Sequence, residues 1–182
     1  YSAESSRKVI MYETMMRQST RYIDQQLSGS EAPEEWIRSY LESVSTTLGE
    51  NVLDPYAVID GKIIAANPWE GDEDFDVESA GWYQSAVEAD GEIIFTDGYR
   101  DSITGKLIVT IAQETDEPGN VVAFDIFPEQ FRSDIRDERL PEGSYFYLCD
   151  SSGTLLYKDT ELELSDEQLQ SYIYDIVSAI GE

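Results

Sequence analysis

Near residue 55 the hydrophobic period of this sequence changes from helical to alternating, and no other feature restricts the fold as strongly. Upstream, residues 3–28 read as a helix. Tyr12, Met16, Ile23 and Leu27 are spaced 4, 7 and 4 apart, and Val9, Met16 and Ile23 fall at heptad spacing. So narrow a seam suits either the chain's own sheet or the same helix of a second copy. Ser28-Gly29-Ser30 breaks the pattern. Ser30 stands as an N-cap and Pro33 in the first turn of a second helix, where Trp36, Ile37, Tyr40, Leu41, Val44 and Leu48 form one broad apolar face.

Downstream, Tyr56–Ile59, Asp60-Gly61 and Ile63-Ile64 read as strand, tight turn and strand. An acidic loop follows, Glu70 to Asp76. Its Asp72, Asp74 and Asp76 lack the glycine and distal glutamate of a calcium loop, so it reads as a solvated loop. Trp82-Tyr83 lies in a short helical stretch. Strands are expected at Glu92–Thr96, Lys106–Glu114 and Asn120–Phe127, with turns at Ser102–Gly105 and Glu117-Pro118-Gly119. Helices followed by a five-stranded antiparallel sheet define an α+β plan.

The strand, Asp…Gly turn and strand of 56–64 recurs at Tyr145–Cys149, Asp150–Gly153 and Thr154–Tyr157, with Asp150 standing ninety residues after Asp60. A charged connector, Pro128–Arg139, separates the two copies. The expected organisation is a helical segment at 1–50, a first module at 51–137, and the start of a second module at 138–182. Ser165 to Ile180 reads as a closing helix with a Ser165/Gln168 capping box and Leu169, Ile173, Ile176 and Ile180 on one face.

Charge and composition then exclude function classes. Twelve Lys and Arg against 38 Asp and Glu give a formal net charge of −26. That field repels phosphate backbones, so no nucleic-acid partner is expected; it either draws cationic small molecules or simply keeps the module soluble. There is no histidine, and Cys149 is the single cysteine. Histidine general-base, His-metal and zinc-thiolate chemistry therefore have no footing, and no metal or cofactor is expected. Neither a Gly-x-Ser-x-Gly elbow nor a phosphate-binding glycine motif occurs. No stretch is long and apolar enough to span a bilayer.

Asp125 is the informative residue. It lies in Val121–Phe127, a strand apolar on both faces and otherwise uncharged, where a lone carboxylate is expensive to bury. It is either satisfied by the backbone or an arginine, or it anchors an ammonium group between the aromatic walls of Trp82, Tyr83 and Tyr99.

Four fragments carry a resemblance to a known family. They are Trp82-Tyr83-x-x-Ala86, Phe95-x-x-Gly98-Tyr99-x-Asp101-x-x-Thr104-Gly105, Val109-Thr110-Ile111, and Gly119-Asn120-Val121-Val122-x-x-Asp125-Ile126. In order and spacing they resemble the ligand-binding half of double Cache domains. Those are PAS-like extracytoplasmic sensors of bacterial chemoreceptors, histidine kinases and cyclic-di-GMP enzymes.

The resemblance implies two sequential PAS-like modules, the second incomplete here, and a ligand site built from Trp82, Tyr83, Tyr99, Asp101, Thr110 and Asp125. It also implies membrane-spanning helices flanking the chain, a location outside the cytoplasm, a small-molecule partner, and a possible homodimer through the first helix. The domain itself is not expected to be an enzyme. In the amino-acid-binding branch an Arg two residues before the Trp-Tyr pair grips the ligand carboxylate; Ala80 stands there, and Phe75 replaces the Tyr five residues earlier. Arg100 alternates with Tyr99 and is expected to point away, with Arg132 the other nearby candidate. The reading is therefore a sensor for a neutral or cationic metabolite, such as an amine or amino-acid derivative, signalling through the long first helix. An interaction module with a filled, vestigial pocket is the alternative, and a hydrolase needing two facing carboxylates stands third.

Overall fold

The structure is a computed structural model that describes residues 2–28, 34–71, 74–131, 146–150, 153–159 and 164–180. The change of period is the boundary between two helices, α1 (Ser2–Leu27) and α2 (Glu34–Leu48), and a sheet that opens with β1 (Val52–Ile59) and β2 (Lys62–Ala65). After a loop come α3 (Gly81–Glu88), β3 (Ile94–Phe95), β4 (Tyr99–Arg100), β5 (Leu107–Glu114) and β6 (Val121–Ile126). A separate hairpin, β7 (Phe146–Cys149) and β8 (Leu155–Asp159), leads to α4 (Asp166–Ile180).

The main sheet is antiparallel in the order β2-β1-β6-β5-β3, and β4 also pairs with β5. The expected five-stranded α+β plan is met, with the outermost strand interrupted between Phe95 and Tyr99. Sequence reading placed a strand only on the first half of that edge. β1 starts earlier than expected, at Val52, because a bulge between Val52 and Asp54 restores its register with β6. Asp60 and Gly61 both take positive φ, 51° and 75°, as a tight hairpin turn requires.

The sheet is covered on both sides, which explains why β6 is apolar on both faces. On one side α1 and α2 pack Tyr12, Met16, Ile23, Ile37 and Leu41 against Ile111, Val122 and Phe124. On the other, Trp82 and Ala86 of α3 pack against Tyr56, Val58, Ala112, Val121 and Ala123. Asp125 shares its face with Ala123 and Val121, two and four residues earlier in the strand.

Of the two readings of the heptad seam, the chain's own sheet takes most of it: Met16 and Ile23 are fully buried in the core and Val9 is half-buried. One expectation needs correction. On α4, Leu169 and Ile173 are buried but Ile176 is exposed, so the apolar face is shorter than its periodicity indicates. The Ser165/Gln168 capping box forms in both directions, at 3.2 and 3.1 Å. Gly29, Ser30, Pro33, Asp72, Arg132 and Tyr145, and most of the 128–139 connector, lie outside the described residues.

Candidate ligand-binding site

A cavity of about 520 Å³ opens on the α3 side of the sheet. Its floor is Asp125 with Tyr56, its walls include Trp82, Tyr99, Ala80 and Asp101, and Trp69, Phe75 and Ile103 stand at its exposed rim. That size falls in the usual range for small-molecule pockets of roughly 300–1,000 Å³. The space is open rather than filled by core side chains.

Asp125 is brought there by register. It lies directly opposite Thr110 on β5 and Asp54 on β1. Thr110 Oγ1 donates to Asp125 Oδ1 at 2.7 Å, and the buried Tyr56 hydroxyl donates to the same oxygen at 3.1 Å. Thr110's only proton is used in that bond. Its oxygen therefore accepts from the Tyr99 hydroxyl, 2.6 Å away. The result is a run from Tyr99 through Thr110 to Asp125, with Tyr56 closing it from the far side. Burial lifts the Asp125 carboxyl to about 6; the bonds from Thr110 and Tyr56 oppose that rise, and the charge of Asp101 adds to it. Burial likewise pushes the Tyr99 and Tyr56 hydroxyls well above their ordinary value, so both remain protonated donors.

Asp101 is nearly buried and held by its own loop, where its Oδ2 accepts from the Thr104 amide at 2.6 Å and the Thr104 hydroxyl at 2.5 Å. Among the described lining residues, three are carboxylates (Asp54, Asp101 and Asp125) and one is a cation, Arg100. Arg100 does contribute to the lining, contrary to the expectation from strand alternation. Its Nη1 donates to the Gly105 carbonyl at 3.0 Å and is exposed, so it serves the turn. Ala80 and Phe75 line the cavity at the positions where the resemblance leads one to look for Arg and Tyr.

The structure thus brings Trp82, Tyr99, Asp101 and Asp125 to one cavity, with Thr110 directly beneath. Tyr83 is not among the lining residues. Its hydroxyl donates to the Gly119 carbonyl at 2.9 Å, tying α3 to the β5–β6 turn. Successive helical residues point about 100° apart, and here that step turns Tyr83 toward Gly119 while Trp82 faces the cavity. Sequence reading missed Tyr56, Asp54, Asn67, Trp69 and Ile103. Tyr56 alternates with Ala57 and could have been assigned to the Asp125 face once register was known. The rim residues come from loops with no periodicity to read.

The fold of a sheet backed by two helices is shared with solved ligand-binding domains of chemoreceptors. The chain shares its fold with the ligand-binding domain of the Campylobacter jejuni chemoreceptor Tlp3, solved with 4-methylisoleucine (TM-score 0.65, 17% identity, 88% of this chain and 70% of that one). It also matches the ligand-binding domain of the Pseudomonas aeruginosa PAO1 amino acid chemoreceptor PctB, solved with L-Arg (TM-score 0.66, 20% identity, 84% of this chain and 64% of that one).

Among curated sequences, the Bacillus subtilis methyl-accepting chemotaxis protein McpC is 30% identical over 87 residues, 46% of this chain and 13% of McpC. TlpB of the same organism is 33% identical over 82 residues, 44% of this chain and 12% of TlpB. The matched segments are thus a small part of those relatives. No family model matches the chain. Among the described residues no helix is long and apolar enough to cross a membrane.

Proposed function

We propose that this chain is the extracytoplasmic, double Cache type sensor domain of a membrane-anchored chemoreceptor, and that it binds a small neutral or cationic metabolite without transforming it. The observation that carries this reading is Asp125: a buried carboxylate on the floor of an open cavity, held by the Tyr56 and Thr110 hydroxyls, while the one cation of the described lining, Arg100, bonds the Gly105 carbonyl. A ligand ammonium would supply the missing charge. The aromatic faces of Trp82 and Tyr99, beside Asp101, would surround it.

The absence of a bidentate cation at Ala80 separates this cavity from one built for a free α-carboxylate. Similarity to domains crystallised with amino acids supports the placement of the ligand, while Ala80 and Phe75 argue for a different ligand class. Trp82, Tyr99, Asp101, Thr110 and Asp125 are the residues proposed to bind; Tyr83 belongs to the scaffold.

A thermal-shift screen of amines, amino acids, organic acids and nucleobases tests the reading. A ligand at 100 times its Kd adds about 2.7 kcal/mol to stability. Amines are expected to register and Asp125→Ala to abolish their effect. Tight calorimetric binding of a dicarboxylate to the unmodified domain would overturn the proposal.

A further inference from the structure

Tyr99, a wall of the cavity, follows Gly98 in the chain, and Gly98 is where the first sheet meets the β7–β8 hairpin. The Gly98 amide donates to Asp150 Oδ2 at 3.3 Å. A Cβ at Gly98 would collide with Leu156 Cδ2 of β8, so the Leu156 side chain sits over the Gly98 backbone where any larger residue would force it to shift.

Asp150 is no incidental partner. Its Oδ1 accepts from the Thr154 amide at 2.8 Å, and its backbone N–H donates to the Thr154 carbonyl at 3.1 Å, so one residue both builds the hairpin turn and holds Gly98. The hairpin is in turn pinned to α4. Gln170 Oε1 accepts from the Leu155 amide at 2.8 Å, and its Nε2 donates to the Gly153 carbonyl at 2.6 Å.

We infer that Asp150 and Leu156 are positioning residues for Tyr99, and that through Gly98 the state of the cavity passes to the β7–β8 hairpin and α4 rather than to α1. The alternative route, through α1, is poorly placed. Tyr12, Met16 and Ile23 pack on the opposite face of the sheet, against Ile111 and Phe124, whereas the Tyr99–Thr110–Asp125 run lies on the cavity face. Coupling needs a physical contact that both ends bias, and Gly98 supplies one a single residue from the site. By reciprocity, whatever moves the hairpin must also move Tyr99. The inference rests on the proposed ligand site only in taking that hydrogen-bonded run as its sensing element.

Amide hydrogen exchange on the 182-residue chain tests it with no ligand present, so its failure and the failure of the ligand proposal are separate events. Tyr99→Phe removes the hydroxyl bond to Thr110 and is expected to speed exchange of the 153–159 amides by about fivefold, while the α1 amides between Met16 and Ile23 keep their rates. Gly98→Ala is expected to open the hairpin, and Leu156→Ala in the same chain to make room for the added methyl and restore protection. Hairpin amides indifferent to Tyr99→Phe, α1 amides responding as strongly as the hairpin, or no recovery in the Gly98→Ala, Leu156→Ala double variant would each overturn the inference.

Discussion

Thr110 and Asp125 are direct Cα partners on adjacent antiparallel strands, and the Thr110 hydroxyl donates to the Asp125 carboxylate at 2.7 Å. A carboxylate so held is partly, not fully, compensated for burial. Burial still carries Asp125 from 3.8 to about 6, against the pull of its two hydroxyl donors. Its ionised form therefore strains the fold at neutral pH and is available to a cation.

The stability effect has a definite sign. The folded pKa is raised, so the favourable contribution of this group is fully present below about 3.8 and is lost as pH rises through about 6. The shift corresponds to roughly 3 kcal/mol. Asp125→Asn keeps an acceptor for Thr110 and Tyr56 and is expected to melt several degrees higher than the unmodified domain at pH 8. The gap should narrow as pH falls through about 6 and close only below about 3.8 in thermal melts across that range. In the same variant, amine binding is expected to vanish. For the unmodified domain, amine affinity should rise with pH through about 6 and level off above 7.

Ala80→Arg restores a cation beside the cavity. Calorimetry with L-leucine is expected to show affinity rising by about 10- to 100-fold over the unmodified domain, the size of a charge-assisted hydrogen-bonded pair. Unchanged affinity would mean that Ala80 does not face the ligand.

Tyr83→Phe removes the bond from α3 to the Gly119 carbonyl. It is expected to cost about 1 kcal/mol of stability in urea melts and to leave amine affinity unaltered, because the ring is not among the cavity lining.

Met16 is fully buried within the chain. Met16→Ala should destabilise by about 2–5 kcal/mol in denaturant titrations and leave the mass measured by light scattering unchanged. A helix seam shared between two copies would give the opposite pattern, with association lost and the fold kept.

A net charge of −26 makes the domain repel itself. Raising salt from 0.1 to 1 M shortens the screening length from about 10 to about 3 Å. The melting temperature should climb by several degrees over that range of KCl, and a flat profile would show that the charges are already well separated.

The amino-acid pattern determined the parts of this protein that depend on local periodicity and on residue chemistry. The helix-to-strand change near 55, the Asp60-Gly61 turn, the Ser165/Gln168 cap and the oddity of a charge in Val121–Phe127 are all local facts, and each was legible. Of the site, Asp125, Tyr99, Trp82, Asp101 and Thr110 were named from the sequence. Tertiary structure alone decided which way shared surfaces turn. The α1 seam has the spacing for either a sheet or a partner helix, and only the position of Ile111 and Phe124 settles it. Trp82 and Tyr83 are adjacent in sequence, but helix geometry sends one to the cavity and the other to Gly119. Tyr56 reaches Asp125 across sixty-nine residues of chain, through a strand register that no local pattern encodes. Periodicity fixes a face relative to its own element; only packing fixes what that face meets.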